Sequence, residues 1–133
     1  MFSKILLAAV SLSAFVNAAP TGLAARQAFN VGDVTFYAPG LGSCGISSGP
    51  TELVAAVAAG TFDTFPGAGP NPNLNPICGK RARVTANGKS VDVKIVDRCP
   101  GCTGGSIDLS PTAFEILAPQ SVGRVTGATW TFV

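Results

Sequence analysis

Four cysteines constrain the fold of this chain more than any other feature: Cys44, Cys78, Cys99 and Cys102. An even number of cysteines in a small domain is typical of an extracellular protein whose modest core is held by disulfides. The alternative is a zinc site, but the spacing provides only one Cys-x-x-Cys pair, and the chain contains no histidine. We therefore predict two disulfides, no metal and no cofactor.

The segment CPGC at 99–102 also matches the generic motif of a redox-active disulfide. A reactive cysteine of that kind usually begins a helix, because the helix N-terminus lowers the pKa of the thiol. Here Cys102 is followed by Thr-Gly-Gly, which continues a loop. We interpret the segment as a structural turn.

The N-terminus has the composition of a signal peptide. A positive charge at Lys4 is followed by an apolar run at 5–16 and then by small residues that suit cleavage. The run is shorter than the roughly 18 apolar residues that a membrane span needs. We therefore predict a secreted protein that acts outside the cell or in its wall, with no membrane attachment after cleavage. Its parts are a signal peptide at 1–18, a short propeptide or flexible segment at 19–29, and one domain at 30–133.

The charge of the exported part excludes one class of partner. The whole chain has nine basic and seven acidic residues, and removal of Lys4 and Arg26 leaves seven of each. A neutral surface releases few counterions from a polyanion, so we expect no binding to nucleic acid. Residues 27–133 are enough for one core but not for two domains, and we expect a monomer.

Alternation of apolar and polar residues predicts most of the strands. Residues 31–38 form a strand with Thr35 and Tyr37 on one face. A hairpin follows at 81–96, with Asn87-Gly88 as its tight turn. The last strand runs from 123 to 133, with Trp130 more suited to the core than to the surface.

One helix is predicted at about 111–118, where Ser110 is the N-cap, Pro111 is the first helical residue and Pro119 ends the apolar stripe. The alanine-rich segment at 53–59 fits either a helix or a strand. The Gly-, Ser-, Pro- and Asn-rich segments at 39–50 and 67–76 are loops. The domain is therefore mainly β.

Two aspartates lie on either side of the Cys-x-x-Cys segment. Asp97 follows a buried-looking strand, and Asp108 precedes the predicted helix. If they face one cleft, they supply the two carboxylates that glycoside cleavage requires. Residue chemistry also allows structural roles, in which Asp97 accepts backbone N–H bonds in a turn and Asp108 interacts with the helix dipole. These two residues are the first candidates for a functional site.

Five segments resemble motifs of one protein family, and they occur in the family's order. The resemblance is to the double-psi β-barrel domains of expansin-like and barwin-like proteins, and above all to the fungal single-domain group often called loosenins or rare-lipoprotein-A-like proteins. It covers about residues 30–133. The segments are GDVTFY at 32–37, GSCG at 42–45, NPICGK at 75–80, VDRCPGC at 96–102 and IDLSPTAF at 107–114.

This resemblance implies a six-stranded double-psi β-barrel with one short helix and an open groove across one face. The groove residues carried over from the family are Thr35, Tyr37, Asp97 and Asp108. It also implies the pairing of Cys44 with Cys78 and of Cys99 with Cys102, the latter closing the turn that positions Asp97. The spacing alone equally allows Cys44–Cys99 with Cys78–Cys102.

The chain departs from the family pattern at two places. Ser106 and Ile107 stand where expansins have a His-Phe pair before the second aspartate. Pro39 stands where related endoglucanases carry the catalytic-base aspartate. A hydrolysis that needs two carboxylates would lack one of them, which argues against an enzyme of that type.

Three functions from different classes follow. The preferred one is a non-lytic, cell-wall-loosening protein that binds a polysaccharide such as cellulose, another β-glucan or chitin. The second is a weak lytic glycosidase or transglycosylase, acting on β-glucan or peptidoglycan through Asp108. The third is a protein-binding barrel, such as a cysteine-protease inhibitor or a defence-related protein, with the hydrophobic loop at 74–77 as its contact.

Overall fold

Six strands close into a barrel in the computed structural model, which describes residues 29–133. The order around the barrel is β1-β5-β2-β4-β3-β6. The predicted mainly-β fold with a helix near 111–118 is confirmed, whereas the predicted signal peptide lies outside the described residues. The strands are β1 Asn30–Phe36, β2 Val54–Ala58, β3 Arg81–Ala86, β4 Lys89–Cys99, β5 Ile107–Leu109 and β6 Val125–Phe132, and the helices are α1 Ala59–Asp63 and α2 Pro111–Leu117.

The barrel contains two parallel pairs of strands, β1 with β5 and β2 with β4. The other neighbouring strands are antiparallel. Parallel neighbours cannot be joined by a tight turn, so each pair needs a long connection across the end of the barrel. These long connections are the loops that surround the candidate site.

The hairpin of β3 and β4 forms where the sequence predicts it. Buried and exposed residues alternate along β3, and Val84 pairs with Val91 across the hairpin. Asn87 and Gly88 both have positive φ, at 54° and 71°. This backbone conformation at both central residues is that of a type I′ turn, for which Asn-Gly is the preferred sequence.

The segment that the sequence left open between helix and strand becomes β2 and then α1. All five residues of β2 are buried, so both faces of this strand are covered. A strand covered on both faces reads as a continuous apolar run rather than an alternation. Its three alanines therefore reflect crowding and not helix propensity.

Helix α2 begins as predicted, with Ser110 as its cap and Pro111 as its first residue. The Ser110 hydroxyl accepts a hydrogen bond from the backbone N–H of Ala113 at 3.4 Å. The buried face of the helix packs on the barrel, where the ring of Phe114 lies 5.0 Å from the ring of Phe36. Trp130 is 1% exposed, so the prediction that it belongs to the core is confirmed.

No helix within residues 29–133 has the length and apolarity needed to cross a membrane.

Candidate functional site

A row of four residues crosses four neighbouring strands on the outer face of the barrel. Thr35 of β1 pairs with Asp108 of β5, Asp108 pairs with Ala56 of β2, and Ala56 pairs with Asp97 of β4. Residues that are paired across strands point to the same face of a sheet. The register therefore brings both predicted aspartates and the predicted threonine together. We call Thr35, Asp108, Ala56 and Asp97 the carboxylate row.

A β-bulge turns Asp97 toward this row. Ile95 of β4 points into the barrel, and strict alternation along the strand would point Asp97 inward as well. The register shifts between Ala55, which pairs with Ile95, and Ala56, which pairs with Asp97. The extra residue, Val96, is buried at 1% exposure. Because it interrupts the alternation, the next side chain emerges on the outer face.

Asp97 is held by two backbone N–H groups. Its Oδ1 accepts hydrogen bonds from the N–H of Ser43 and from the N–H of Arg98, both at 2.8 Å. The structural role considered from the sequence, a carboxylate that accepts backbone bonds, is therefore present. It does not exclude a binding role, because both bonds fall on one oxygen and Oδ2 remains as an acceptor.

The loop after β1 is pressed against Asp97 and fastened there. The N–H of Cys44 donates to the carbonyl of Val96 at 3.2 Å, and Cys44 is joined to Cys78. A Cβ on Gly42 would collide with the Val96 carbonyl oxygen and lie 3.1 Å from the Cβ of Asp97. Only glycine fits there, so the packing of this loop depends on both the glycine and the disulfide.

Asp108 occupies a more enclosed position than a surface carboxylate. Burial raises the pKa of Asp108 above its ordinary value. The hydroxyl of Thr35, which donates to Asp108 Oδ1 at 3.0 Å, works in the opposite direction. The negative charge of Asp97 raises the pKa further, and the Arg124 guanidinium lowers it. Asp108 is thus the carboxyl of the row that protonates more readily than a free aspartate.

Tyr37 lies beside both carboxylates. Its backbone N–H donates to the carbonyl of Leu109 at 2.9 Å, which extends the pairing of β1 with β5 by one residue. Burial raises the pKa of the Tyr37 phenol above its ordinary value, and the charges of Asp97 and Asp108 raise it further. The phenol therefore stays neutral and offers both a donor and an acceptor next to two acceptors.

Two clefts border the carboxylate row. One has a volume of about 270 Å³ and is lined by Thr35 and Asp108 together with Asp33, Ser106 and Arg124. The other has a volume of about 410 Å³ and is lined by Ser43 and Arg98, the two residues whose N–H groups hold Asp97. The row therefore lies between two concavities, an arrangement that suits an extended ligand better than a compact one.

The second disulfide, Cys99–Cys102, forms part of the wall beside Asp108. A carboxylate oxygen of Asp108 and the two sulfur atoms lie within 4.8 Å of one another. Both sulfurs are used in the disulfide, so they are not thiolate ligands for a metal. The pairing is the one that the resemblance implied. The two disulfides lie near different carboxylates. Cys44–Cys78 fastens the loop that packs on Asp97, and Cys99–Cys102 lies beside Asp108.

The family model of the double-psi β-barrel domain described as "Lytic transglycolase" matches residues 30–128. The chain belongs to this double-psi β-barrel family. Membership confirms the resemblance to expansin-like and barwin-like domains, and it accounts for the closed barrel with two parallel strand pairs.

Proteins similar in sequence to this chain include a protease inhibitor and an allergen homolog. A papain inhibitor from Streptomyces mobaraensis is 42% identical over 106 residues, which are 77% of this chain and 70% of the inhibitor. An Asp f 7 allergen homolog from Arthroderma benhamiae is 31% identical over 129 residues, which are 85% of this chain and 42% of that protein. The chain therefore spans less than half of the allergen homolog.

Solved structures show the same barrel. The Streptomyces papain inhibitor has a TM-score of 0.71 and 37% identity, covering 79% of this chain and 94% of that one. A Clavibacter michiganensis expansin, solved as a mutant in complex with cellohexaose, has a TM-score of 0.64 and 23% identity, covering 79% of this chain and 50% of the expansin. At that identity the second likeness shows the fold alone.

Sequence reasoning missed three residues of this double-psi site. Ala56 lies between the two aspartates and is 3% exposed, while Ser43 and Gly42 contact Asp97. An alanine within an apolar run does not indicate a functional site in the sequence. The position of Ala56 between the two aspartates follows only from the strand register. The neighbours Ile95 and Val96, both apolar where alternation predicts one, were a visible sign of the bulge. The binding roles of Thr35, Tyr37, Asp97 and Asp108 remain predictions.

The raised pKa of Asp108 gives a prediction about stability. Asp108→Asn is expected to raise the melting temperature at neutral pH, because it removes a charge that burial penalises and keeps an oxygen for Thr35. The folded state binds this proton more tightly than the unfolded state. The contribution of Asp108 to wild-type stability therefore falls as the pH rises through its pKa, and the stability difference in favour of the variant appears in the same pH range.

Thermal unfolding of both proteins between pH 3 and pH 7 measures this effect. Asp92→Asn is the matched control. The ion pair with Arg83 lowers the pKa of Asp92, so this substitution is expected to lower the melting temperature at neutral pH. An Asp108→Asn protein that is less stable than wild type at neutral pH would contradict the assigned environment.

Proposed function

We propose that this protein is secreted and binds a neutral cell-wall polysaccharide, cellulose or another β-glucan or chitin, across the carboxylate row without cleaving it. The observation that carries the proposal is the alignment of Asp97 and Asp108 on either side of Ala56, with Tyr37 beside them. Carboxylates accept short, charge-assisted hydrogen bonds from hydroxyl groups. A glycan chain presents hydroxyl groups at a regular spacing, so one chain can engage both carboxylates at once.

The charges around the row favour a neutral ligand over an acidic one. Arg98 is paired with Asp63 at 2.7 Å, and Arg124 is paired with Asp33 at the same distance. Each of these two arginines is therefore matched by its own aspartate, while Asp97 and Asp108 remain as acceptors. Like charges placed together are destabilising, which disfavours polyuronates and other polyanions at this face.

Binding at such a site can loosen a cell wall by competing with the hydrogen bonds between its glycan chains. Glycan chains in a wall hold one another through many hydroxyl hydrogen bonds, and a protein that supplies competing acceptors replaces some of those bonds. No covalent bond has to break. The expansin whose structure contains cellohexaose has the same barrel fold and supports this interpretation. The two disulfides of the barrel also support a place outside the cell, where such bonds persist.

Binding to insoluble cellulose and chitin tests the proposal. Asp97→Ala is expected to weaken binding about tenfold, the effect of losing a hydrogen bond to a charged group worth about 1.5 kcal/mol. Tyr37→Ala is expected to weaken binding about fivefold, because a hydrogen bond between neutral groups contributes about 1 kcal/mol. The bound fraction in a pull-down, read over a series of polymer concentrations, measures the change. Asp92→Ala is the control, since Asp92 lies in the hairpin and pairs with Arg83. Equal binding by all four proteins would remove the row from the site.

The same assay separates binding from cleavage. We expect the polymer to weaken while the number of reducing ends stays at the level of the control without protein. The lytic alternative, favoured by the family description and by the proton affinity of Asp108, predicts soluble fragments instead. Fragments that appear with wild type and disappear with Asp108→Ala would replace the non-lytic proposal with a lytic one.

A second candidate function is inhibition of a papain-type cysteine protease. The observation that favours it is the 42% identity with the Streptomyces mobaraensis papain inhibitor, which extends over most of both chains. The two candidates use different chemistry, since a protease offers a cleft shaped for peptide and the row offers acceptors for hydroxyls. A fall in papain activity on a small peptide substrate when the purified domain is added would support this second function.

A further inference from the structure

Two neighbouring loops project from the barrel and contain no ionisable side chain. They span residues 39–51 and 64–79, and their two cysteines, Cys44 and Cys78, are joined to each other. A Cβ on Gly45 of the first loop would lie 3.0 Å from the side chain of Asn73 in the second, so the loops also pack directly on each other. We call these two segments the stapled loops.

Each stapled loop exposes one leucine more fully than the rest of its apolar residues. Leu41 of the first loop is 75% exposed and Leu74 of the second is 76% exposed. These are the highest exposures among the large apolar residues of the described part of the chain. A leucine in this position costs hydration free energy unless a partner covers it, and hydrophobic residues that protrude in this way are characteristic of binding surfaces.

The backbone that carries Leu41 is fixed by its own hydrogen bonds. The N–H of Gly42 donates to the carbonyl of Ile46, and the N–H of Ser48 donates to the carbonyl of Gly40, both at 3.0 Å. Leu41 itself forms a β-bridge with Ser47. The first loop is thus a small closed hairpin rather than an open chain.

The backbone that carries Leu74 is fixed from inside. Asn75 is 4% exposed, donates through its amide nitrogen to the carbonyl of Phe62 at 2.8 Å, and accepts from the N–H of Ile77 at 3.0 Å. Ile77 is fully buried, so of the loop residues 74–77 named from the sequence only part is accessible. Leu74 therefore directly precedes a buried residue, Asn75, whose side chain is fixed by two hydrogen bonds.

Rigid loops with exposed apolar tips suit a protein partner better than a glycan. A preorganised loop loses little conformational entropy on binding, and an uncharged one buries no unpaired charge. Sugar rings are usually held by stacking on aromatic side chains, but the stapled loops have a single aromatic residue, Phe65. Phe65 is half-buried, packs edge-on against Phe132 and is covered by the ammonium group of Lys80.

We infer that the stapled loops are the protease-facing surface of this protein, with Leu74 and Leu41 entering the substrate cleft of a papain-type cysteine protease. The inference rests on the second candidate function, which the similarity to a papain inhibitor supports. Binding clefts are mostly apolar, which complements two uncharged loops that each expose a leucine. The first stapled loop also contains Ser43, whose N–H donates to Asp97, so this surface adjoins the carboxylate row.

Inhibition of papain by the complete domain and by single variants tests this inference. Leu74→Asp and Leu41→Asp are each expected to raise the inhibition constant at least tenfold, as loss of a central apolar contact does. Val122→Asp is the matched control, since Val122 is 53% exposed in the turn Gln120–Val122, and it is expected to inhibit like wild type. Unchanged thermal unfolding and an unchanged circular dichroism spectrum would show that the leucine variants are folded.

The possible outcomes separate the two claims. If wild type inhibits papain and both leucine variants inhibit equally well, the surface assignment is wrong while the inhibitory function stands. If wild type leaves papain fully active at micromolar concentration, the inhibitory function and the surface assignment both fail. Selective loss in Leu74→Asp and Leu41→Asp, with Val122→Asp unaffected, is the result that the inference predicts.

Discussion

The double variant Cys44→Ala/Cys78→Ala is expected to lose about 4 kcal/mol of free energy of unfolding. The two cysteines are separated by 34 residues, and the entropy that a disulfide removes from the unfolded chain grows with the length of the closed loop. For a domain of this size the loss corresponds to a fall in melting temperature of roughly 15 °C or more. Because this bond fastens the loop whose Ser43 N–H holds Asp97, polysaccharide binding should weaken together with stability.

The second disulfide provides the control for this prediction. Cys99 and Cys102 are separated by only 3 residues, so the double variant Cys99→Ala/Cys102→Ala is expected to lose about 2 kcal/mol. Urea unfolding of both double variants and of wild type gives the two differences directly. A larger loss of unfolding free energy on removal of Cys99–Cys102 than on removal of Cys44–Cys78 would contradict the expected dependence on loop length.

Trp130→Ala is the second change with a large expected effect, a loss of about 3–5 kcal/mol in the free energy of unfolding. The indole is 1% exposed and packs edge-on against Phe132 with ring centres 5.3 Å apart. Its Nε1–H donates to the carbonyl of Gly105 at 2.8 Å. Alanine therefore leaves a cavity in the core and an unpaired carbonyl in the loop beside Asp108.

Trp130→Phe separates these two contributions. Phenylalanine keeps most of the apolar volume and removes only the N–H donor, so the expected loss is about 1–3 kcal/mol, the cost of an unpaired buried carbonyl. Chemical unfolding monitored by circular dichroism measures both variants. Equal losses in Trp130→Phe and Trp130→Ala would show that the hydrogen bond, and not the packing of the ring, carries the effect.

The local elements of this barrel could be predicted from the sequence because their signals are local. Asn87-Gly88 specifies a type I′ turn within two residues, and Ser110-Pro111 specifies the start of a helix in the same way. The mainly β character follows from the same alternation. None of these signals depends on where distant parts of the chain lie.

The geometry of the site depends on the pairing register of strands that are distant in the sequence. Residue patterns alone do not predict that register. Asp97 and Asp108 become neighbours of one residue, Ala56, only because β2 lies between β4 and β5. An alanine-rich segment fits a helix equally well, so β2 itself was ambiguous. The family resemblance supplied Thr35, Tyr37 and the two aspartates as groove residues, and the register explains why those four positions meet.

The two carboxylates also have different surroundings that the sequence does not distinguish. Each follows an apolar residue in a strand next to a cysteine or a helix start. In the fold, Asp97 receives two backbone N–H bonds, whereas Asp108 has a single hydroxyl donor and a disulfide wall. The loop held by the Cys44–Cys78 bond supplies one of the two donors to Asp97, the N–H of Ser43. Asp97 therefore has one oxygen held by backbone donors, whereas burial raises the pKa of Asp108.

Titration of isotopically labelled protein with cellohexaose, followed by nuclear magnetic resonance, tests whether a glucan chain binds at the carboxylate row. The amide signals of Ser43 and Arg98 report on Asp97, because both N–H groups donate to its Oδ1. We expect these two signals and that of Tyr37 to shift progressively and saturate, while signals in the hairpin turn at Asn87 do not move. Cellohexaose in large excess that leaves the signals of Ser43, Arg98 and Tyr37 unshifted would contradict a cellulose-binding site on the carboxylate row.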